Sequence, residues 1–137
     1  NQKGSRSMAE FVEGLASGEA IAAGQEARIV HLTNSGVRRT NIGLVNASGA
    51  EVEVALNLFK GDATPIGTST FTLAPYAHVQ QNDVFKHLTT LSVSAAALDA
   101  IDDAYAVIVS TTAGARYFAY GSVVDNTSGS PMHIPAR

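Results

Sequence analysis

The chain has 137 residues, of which 45% are hydrophobic and only 15% are charged, with no cysteine and a formal net charge of −3. This length suits a single domain, and the lack of cysteine excludes disulfides, thiolate metal sites and thiol nucleophiles. The nine basic residues form no basic stripe, which argues against nucleic acid as a partner, and the apolar runs are too short to span a membrane.

The first 24 residues form a candidate arm or linker in front of a domain expected at 25–137. The arm begins with polar, glycine-bearing sequence that is typical of a tail. The stretch "MAEFVEG" then offers a short extended segment with imperfect alternation. The apolar side chains that would anchor such an arm are Met8, Phe11, Val12 and Leu15. Two interpretations stay open: the arm folds back as the first strand of its own domain, or it pairs with another copy.

From residue 25 onward the sequence predicts one strand after another. The alternation is cleanest in "EVEVALNLF", where apolar residues recur with a period of two from Val52 to Leu58, as in a half-buried strand. The other predicted strands are "EARIVHLT", "VRRTNIGLVN", "GTSTFTLAP", "YAHVQQN", "AYAVIVSTT", "RYFAYGSVVDN" and "MHIPAR". About seven or eight strands, with turns roughly every 8–12 residues and no βαβ rhythm, predict an all-β antiparallel sandwich.

Three segments interrupt the strands. The tetrapeptide "NASG" at 46–49 has turn chemistry, and the N-x-S/T matches at Asn46 and Asn126 both fall where turns are expected. The segment "DVFKHL" predicts one or two helical turns with Asp83 as the N-cap. The Ala-rich "SVSAAALDAID" fits either a short helix or an irregular crossover.

Motifs for catalysis or metal binding are sparse. The four histidines share no i, i+2 or i, i+4 spacing, and no nucleophile elbow, phosphate loop or dinucleotide fingerprint occurs. Asp99, Asp102 and Asp103 would gather on a helical turn and bind a hard cation such as calcium, but a solvated loop leading into a strand is the favoured explanation. We therefore expect no catalytic residues, no metal and no cofactor, and a hydrolase using Asp102 or Asp103 has little support.

Exposed aromatic side chains are the remaining candidates for ligand binding, because they can bind sugars. Tyr76, Tyr105, Tyr117 and Tyr120 are available in the sequence. Tyr105 and Tyr117 begin predicted strands, where tyrosines more often pack at the edge of a sandwich. Any affinity for sugar is expected to depend on Tyr117 or Tyr120 as ligand-facing aromatics.

Four segments in fixed order resemble a module found, often in tandem, in secreted bacterial proteins. They are "RRTNIGLVNASGAEVEVALNLF", "LAPYAHVQQNDVF", "DDAYAVIVST" and "YFAYGSVVDNTSGSPMHIPA", within residues 37–136. The resemblance implies a non-catalytic, immunoglobulin-like β-sandwich in an extracellular protein. It also implies structural roles for Arg39, Thr40, Asn41, Asn82, Asp83, Asp125 and Asn126. The chain departs from the module at "LAPY", where L-P-P-Y is usual, and at Ser130, where Asp is common.

Two functions are consistent with these features. A sandwich leaves edge strands unpaired, and an extended arm from one copy can add to the edge of the next, so a repeated head-to-tail contact makes a filament. The leading expectation is a secreted, extracellular or cell-surface structural subunit whose partners are copies of itself. The alternative is an accessory or spacer module of a larger secreted protein that binds a glycan or a cell-surface protein.

Overall fold

The computed structural model describes residues 20–137, which form two antiparallel sheets of five strands each. The strands are β1 Ile21–Ala22, β2 Ala27–Asn34, β3 Arg38–Asn46, β4 Val52–Lys60, β5 Pro65–Leu73, β6 His78–Gln81, β7 Thr90–Leu91, β8 Ile101–Val109, β9 Arg116–Asp125 and β10 Pro131–Pro135. A 3-10 turn, Val84–Lys86, and a short helix, α1 Ala95–Leu98, lie in the connection from β6 to β8. The prediction of an all-β antiparallel sandwich with short helical turns in a crossover is confirmed.

The first sheet, here sheet A, is built around β9. One edge of β9 pairs with β3 over the full length of β3, and β3 pairs with β6 on its other side. On the opposite edge of β9, β1 pairs with the start of the strand, at Arg116 and Tyr117, and β10 pairs with residues 120–124. The chain then continues past β10, and Arg137 exchanges two backbone hydrogen bonds with Arg28 of β2. The C-terminal residues therefore tie sheet A to the second sheet.

The second sheet, sheet B, has the strand order β2-β8-β4-β5-β7. Its edge strand β2 is interrupted by a register shift at His31, whose φ of 61° lies in the left-handed region. The other edge strand, β7, pairs with β5 only at Gly67 and Thr68. Such short or irregular edges limit unwanted pairing with other chains.

The core lies between the two sheets and follows the period of two. In β4, Val52, Val54, Leu56 and Leu58 are each at most 1% exposed, so the face predicted from their alternation is confirmed. The side chains that meet them from other strands include Ile29, Ile42, Leu44, Ile66 and Ile108.

The "NASG" segment is a turn held together by Asn46. Its buried amide nitrogen donates hydrogen bonds to the carbonyls of Ala50 at 2.8 Å and Ala74 at 3.0 Å. Its amide oxygen accepts from the backbone N–H of Ser48 at 2.9 Å. These bonds join the β3–β4 turn to the end of β5, and they leave Asn46 inaccessible as a glycosylation acceptor in the folded domain.

The crossover from β6 to β8 begins at Asp83, the residue predicted as the N-cap. Asp83 occupies the N-cap position of the 3-10 turn with a φ of 50°, but its side chain makes no capping hydrogen bond. Its backbone N–H instead donates to the side-chain oxygen of Asn41 at 3.0 Å. The helix α1 has a regular N-cap, because the hydroxyl of Ser94 accepts from the N–H of Ala97.

The end of the predicted arm belongs to the sandwich. Ile21 pairs with Tyr117 of β9 and is only 4% exposed. The domain boundary predicted after residue 24 is therefore placed too late, because a two-residue strand is too short to show a period. The predicted anchors Met8, Phe11, Val12 and Leu15 lie outside the described residues.

Candidate functional site

The outer face of sheet A is closed by the side chain of Tyr120. Its ring lies across Gly43, the residue opposite it on β3, where a Cβ atom would approach the ring Cζ to 2.0 Å. Its hydroxyl lies 2.8 Å from Nε2 of His78 and donates to the side-chain oxygen of Gln80 at 3.0 Å. The ring of His133 meets it edge-on, with 6.3 Å between ring centroids. This arrangement fixes Tyr120 between β6 and β10.

The prediction that Tyr117 and Tyr120 face a ligand is wrong. Both residues are 0% exposed. Tyr117 points into the core, whereas Tyr120 lies under the side chains of the sheet A face. Burial raises the pKa of each phenol from 10.0 to about 12, because a low-dielectric environment disfavours the phenolate. Neither side chain is available to a sugar in the folded domain.

The outer face of sheet B presents a different pair of aromatic side chains. Phe59 of β4 and Tyr105 of β8 are directly opposite each other in register. Their rings stack, with 5.3 Å between centroids and 21° between planes. Both residues are half-buried, so each ring keeps part of its surface in contact with solvent.

Polar side chains lie next to the stacked rings. Arg28, Val107 and Asn57 form the neighbouring cross-strand row on β2, β8 and β4. The guanidinium of Arg28 lies 3.8 Å from the carboxylate of Glu26, and both side chains are more than half exposed. Together with the two aromatic residues they line a shallow depression of about 280 Å³, here called the sheet B platform: Glu26, Arg28, Asn57, Phe59, Tyr105 and Val107.

The sheet B platform has the chemistry of a small binding site. Ligand sites are mostly apolar, with a few polar groups that fix orientation. Here two aromatic rings supply the apolar surface, while a guanidinium, a carboxylate and an amide supply hydrogen-bond donors and acceptors. The sequence included Tyr105 among the candidates, but its partnership with Phe59 depends on the β4–β8 register, which local periodicity does not reveal.

The aspartates do not assemble into the cluster that a helical turn would produce. Asp99 lies at the C-terminal end of α1, whereas Asp102 and Asp103 lie on the strand β8. A carboxylate oxygen of Asp103 is 3.9 Å from Nδ1 of His31. Within residues 20–137, no group of three or more histidine, aspartate or glutamate side chains is arranged to hold a metal ion.

Comparison with known proteins supports the fold. No protein-family model matches the sequence, and no curated protein matches it either. The crystal structure of Thermotoga maritima 1070 is similar, with a TM-score of 0.58 and 9% sequence identity over 82% of this chain and 91% of that chain. At this identity the likeness concerns the fold alone. In the part of the chain that the structure describes, no helix is long and apolar enough to cross a membrane.

Proposed function

We propose that the protein is a non-enzymatic, glycan-binding module of a secreted or cell-surface protein. The observation that carries the proposal is the stacked pair of Phe59 and Tyr105 on the outer face of sheet B. The extracellular location is supported by the resemblance of the four sequence segments to a module of secreted bacterial proteins.

The ligand class follows from the chemistry of the platform. A sugar ring has an apolar C–H face, which can lie on an aromatic ring, and hydroxyl groups, which can bond to Arg28, Glu26 and Asn57. The ion pair leaves the platform with no excess charge, which favours a neutral sugar over an anionic one. Because the depression is shallow and small, we expect weak affinity, on the order of millimolar for one sugar unit.

Titration with neutral β-linked oligosaccharides tests this proposal. The probes are hexasaccharides of glucose, xylose and N-acetylglucosamine, with binding followed by calorimetry. Phe59→Ala is expected to lose binding, whereas Tyr76→Ala, which removes a tyrosine that is 72% exposed, is expected to retain it. Equal binding by both variants would place any glycan site elsewhere.

A second candidate function is self-assembly into an extracellular filament. Among residues 20–137, β5 has a strand partner on its outer side only at Gly67 and Thr68, so an edge continues through Thr70 and Thr72. An arm from another copy could add to this edge as an extra strand. Met8, Phe11, Val12 and Leu15 are the proposed anchors of that arm.

Deletion of residues 1–15 tests self-assembly. The intact chain is expected to form fibres visible by electron microscopy and to sediment as a polymer, whereas the truncated chain stays monomeric. A monomeric intact chain at high concentration, or polymers of the truncated chain, would contradict this second candidate.

A further inference from the structure

The stacked pair of Phe59 and Tyr105 is the middle one of three cross-strand rows on the outer face of sheet B. Val107 belongs to the row on one side, within the sheet B platform. On the other side the ladder continues past the end of β4, because the N–H of Gly61 donates to the carbonyl of Asp103 at 3.0 Å. Between Asp103 and Val107 buried residues alternate with more exposed ones, so Asp103, Tyr105 and Val107 face the same side.

A second depression lies beyond the aromatic row, at the end of sheet B next to the β4–β5 turn. Its volume is about 270 Å³, similar to the 280 Å³ of the platform. Gly61 has no side chain, and a Cβ atom there would lie 2.6 Å from a carboxylate oxygen of Asp103. The carboxylate therefore lies over the glycine, on the side of the sheet that the aromatic rings share.

The second depression offers hydrogen-bond acceptors to a ligand. Asp103 lines it with a side chain that is 65% exposed, and Asp62 lines it from the β4–β5 turn. The carboxylate of Asp62 accepts from the N–H of Thr64 at 3.0 Å, which holds this side chain in place. Carboxylates accept hydrogen bonds from hydroxyl groups. Among the described residues that line the depression, Lys60 is the one cation against three aspartates, so an anionic sugar is disfavoured here.

The two depressions are too far apart for a single sugar ring to fill both. Val107 and Asp103 are four residues apart on β8, or about 14 Å at the rise of an antiparallel strand. A sugar ring is similar in size to a phenyl ring, so one unit occupies either one depression or the aromatic row between them. A chain of linked units can cover all three rows.

We propose that the sheet B platform binds an extended glycan chain, which follows β8 and β4 over the aromatic pair into the second depression. This inference rests on the glycan-binding function proposed above, and it makes the ligand an oligosaccharide or polysaccharide. The central units lie against Phe59 and Tyr105, while flanking units bond to Asn57 on one side and Asp103 on the other. Affinity rises with chain length, because each further contact of a bound chain is intramolecular.

Calorimetric titration with two chain lengths tests the proposal. The probes are the β-linked disaccharides and hexasaccharides of glucose, xylose and N-acetylglucosamine. For the sugar that binds, we expect the hexasaccharide to bind at least roughly tenfold more tightly than the disaccharide. A hexasaccharide also offers several positions to a single depression, so a variant of the second depression is needed to locate the gain.

Asp103→Ala provides this variant. It should weaken hexasaccharide binding roughly fivefold and disaccharide binding less than about twofold, because only the longer chain reaches the second depression. Glu53→Ala is the matched control, since it removes an exposed carboxylate from the same face of β4, eight residues from Gly61. It should change the affinity for either probe by less than about twofold. Both side chains are exposed, so neither substitution is expected to affect folding.

Three results would overturn the inference, and they differ in what they leave standing. Hexasaccharide affinity unchanged in Asp103→Ala, but lost in Phe59→Ala, would confine the ligand to the platform. Equal losses in Asp103→Ala and Glu53→Ala would assign the effect to net charge. A lack of binding with every probe would contradict the glycan-binding function as well.

Discussion

Each outer face of the sandwich carries a tyrosine on a central strand, and the two tyrosines differ in how far they are exposed to solvent. On sheet A, Tyr120 lies opposite Gly43, so its ring occupies the space next to this glycine and its hydroxyl is hydrogen-bonded. On sheet B, Tyr105 lies opposite Phe59, so its ring stacks against a second ring and stays half-exposed. The residue directly opposite on the neighbouring strand therefore accounts for the difference between a fully buried tyrosine on sheet A and a half-exposed one on sheet B.

The largest effect on folding stability is expected on sheet A, for a substitution that displaces the ring of Tyr120. Gly43→Ala should lower the free energy of unfolding by about 2–3 kcal/mol, because the added methyl group collides with the Tyr120 ring. Denaturant unfolding measures this. Gly36→Ala is the matched control, since nothing lies within 4 Å of its added Cβ, and it should change stability by less than about 0.5 kcal/mol. Equal stability of the two variants would show that the ring does not cover β3.

On the outer face of sheet B, a substitution should reduce glycan affinity more than folding stability. Tyr105→Ala should weaken glycan binding roughly tenfold, or about 1.4 kcal/mol, because it removes half of the stacked surface. Its loss of folding stability should be about 1 kcal/mol, since the ring is only half-buried. Calorimetric titration and denaturant unfolding of one preparation separate the two. A loss of stability with unchanged affinity would make Tyr105 purely structural.

Alkaline pH distinguishes the buried tyrosines from solvent-facing ones. The pKa of both Tyr117 and Tyr120 is raised by burial to about 12, so between pH 10 and 12 the folded state retains protons that the unfolded state has released. Stability should therefore be complete below pH 10 and fall as pH rises toward 12. Replacing both residues by Phe should reduce this fall in the unfolding midpoint. An unchanged fall in that variant would assign the titration to other groups.

A related prediction concerns neutral pH. The hydroxyl of Tyr117 is buried and has no hydrogen-bond partner among the described residues. Tyr117→Phe should therefore leave stability unchanged or raise it by about 1 kcal/mol at pH 7. Thermal unfolding measures the difference, and a clear loss of stability would show that the hydroxyl is bonded.

The smallest effect on folding is expected at the edge of the platform. Arg28→Gln removes an ion pair whose two side chains are largely exposed, so stability should change by no more than about 0.5 kcal/mol. Glycan affinity should fall several-fold in the same variant, because the guanidinium lines the depression. Unfolding and calorimetry again provide the two readouts. Unchanged affinity would remove Arg28 from the site.

Sequence reasoning succeeded where the signal is local. The alternation from Val52 to Leu58 identified a strand and its buried face, and the turn chemistry of "NASG" identified a turn. It failed where partners are distant in sequence. Tyr120 packs over Gly43, and Phe59 stacks on Tyr105, through pairings that depend on strand register. For Asp83 the cap position was predicted correctly, but the left-handed backbone and the absence of a side-chain capping bond were not predicted.

The most direct test of the account is to map a glycan onto the backbone of the protein by NMR. With neutral β-linked hexasaccharides as probes, chemical-shift changes should concentrate on the amides of β4 and β8 around Phe59 and Tyr105, and in Tyr105→Ala they should need roughly tenfold more glycan to reach the same size. Shifts centred on β3, β6 and β10 around Tyr120, or no shifts with any probe, would contradict the claim that the open face of sheet B is the binding surface.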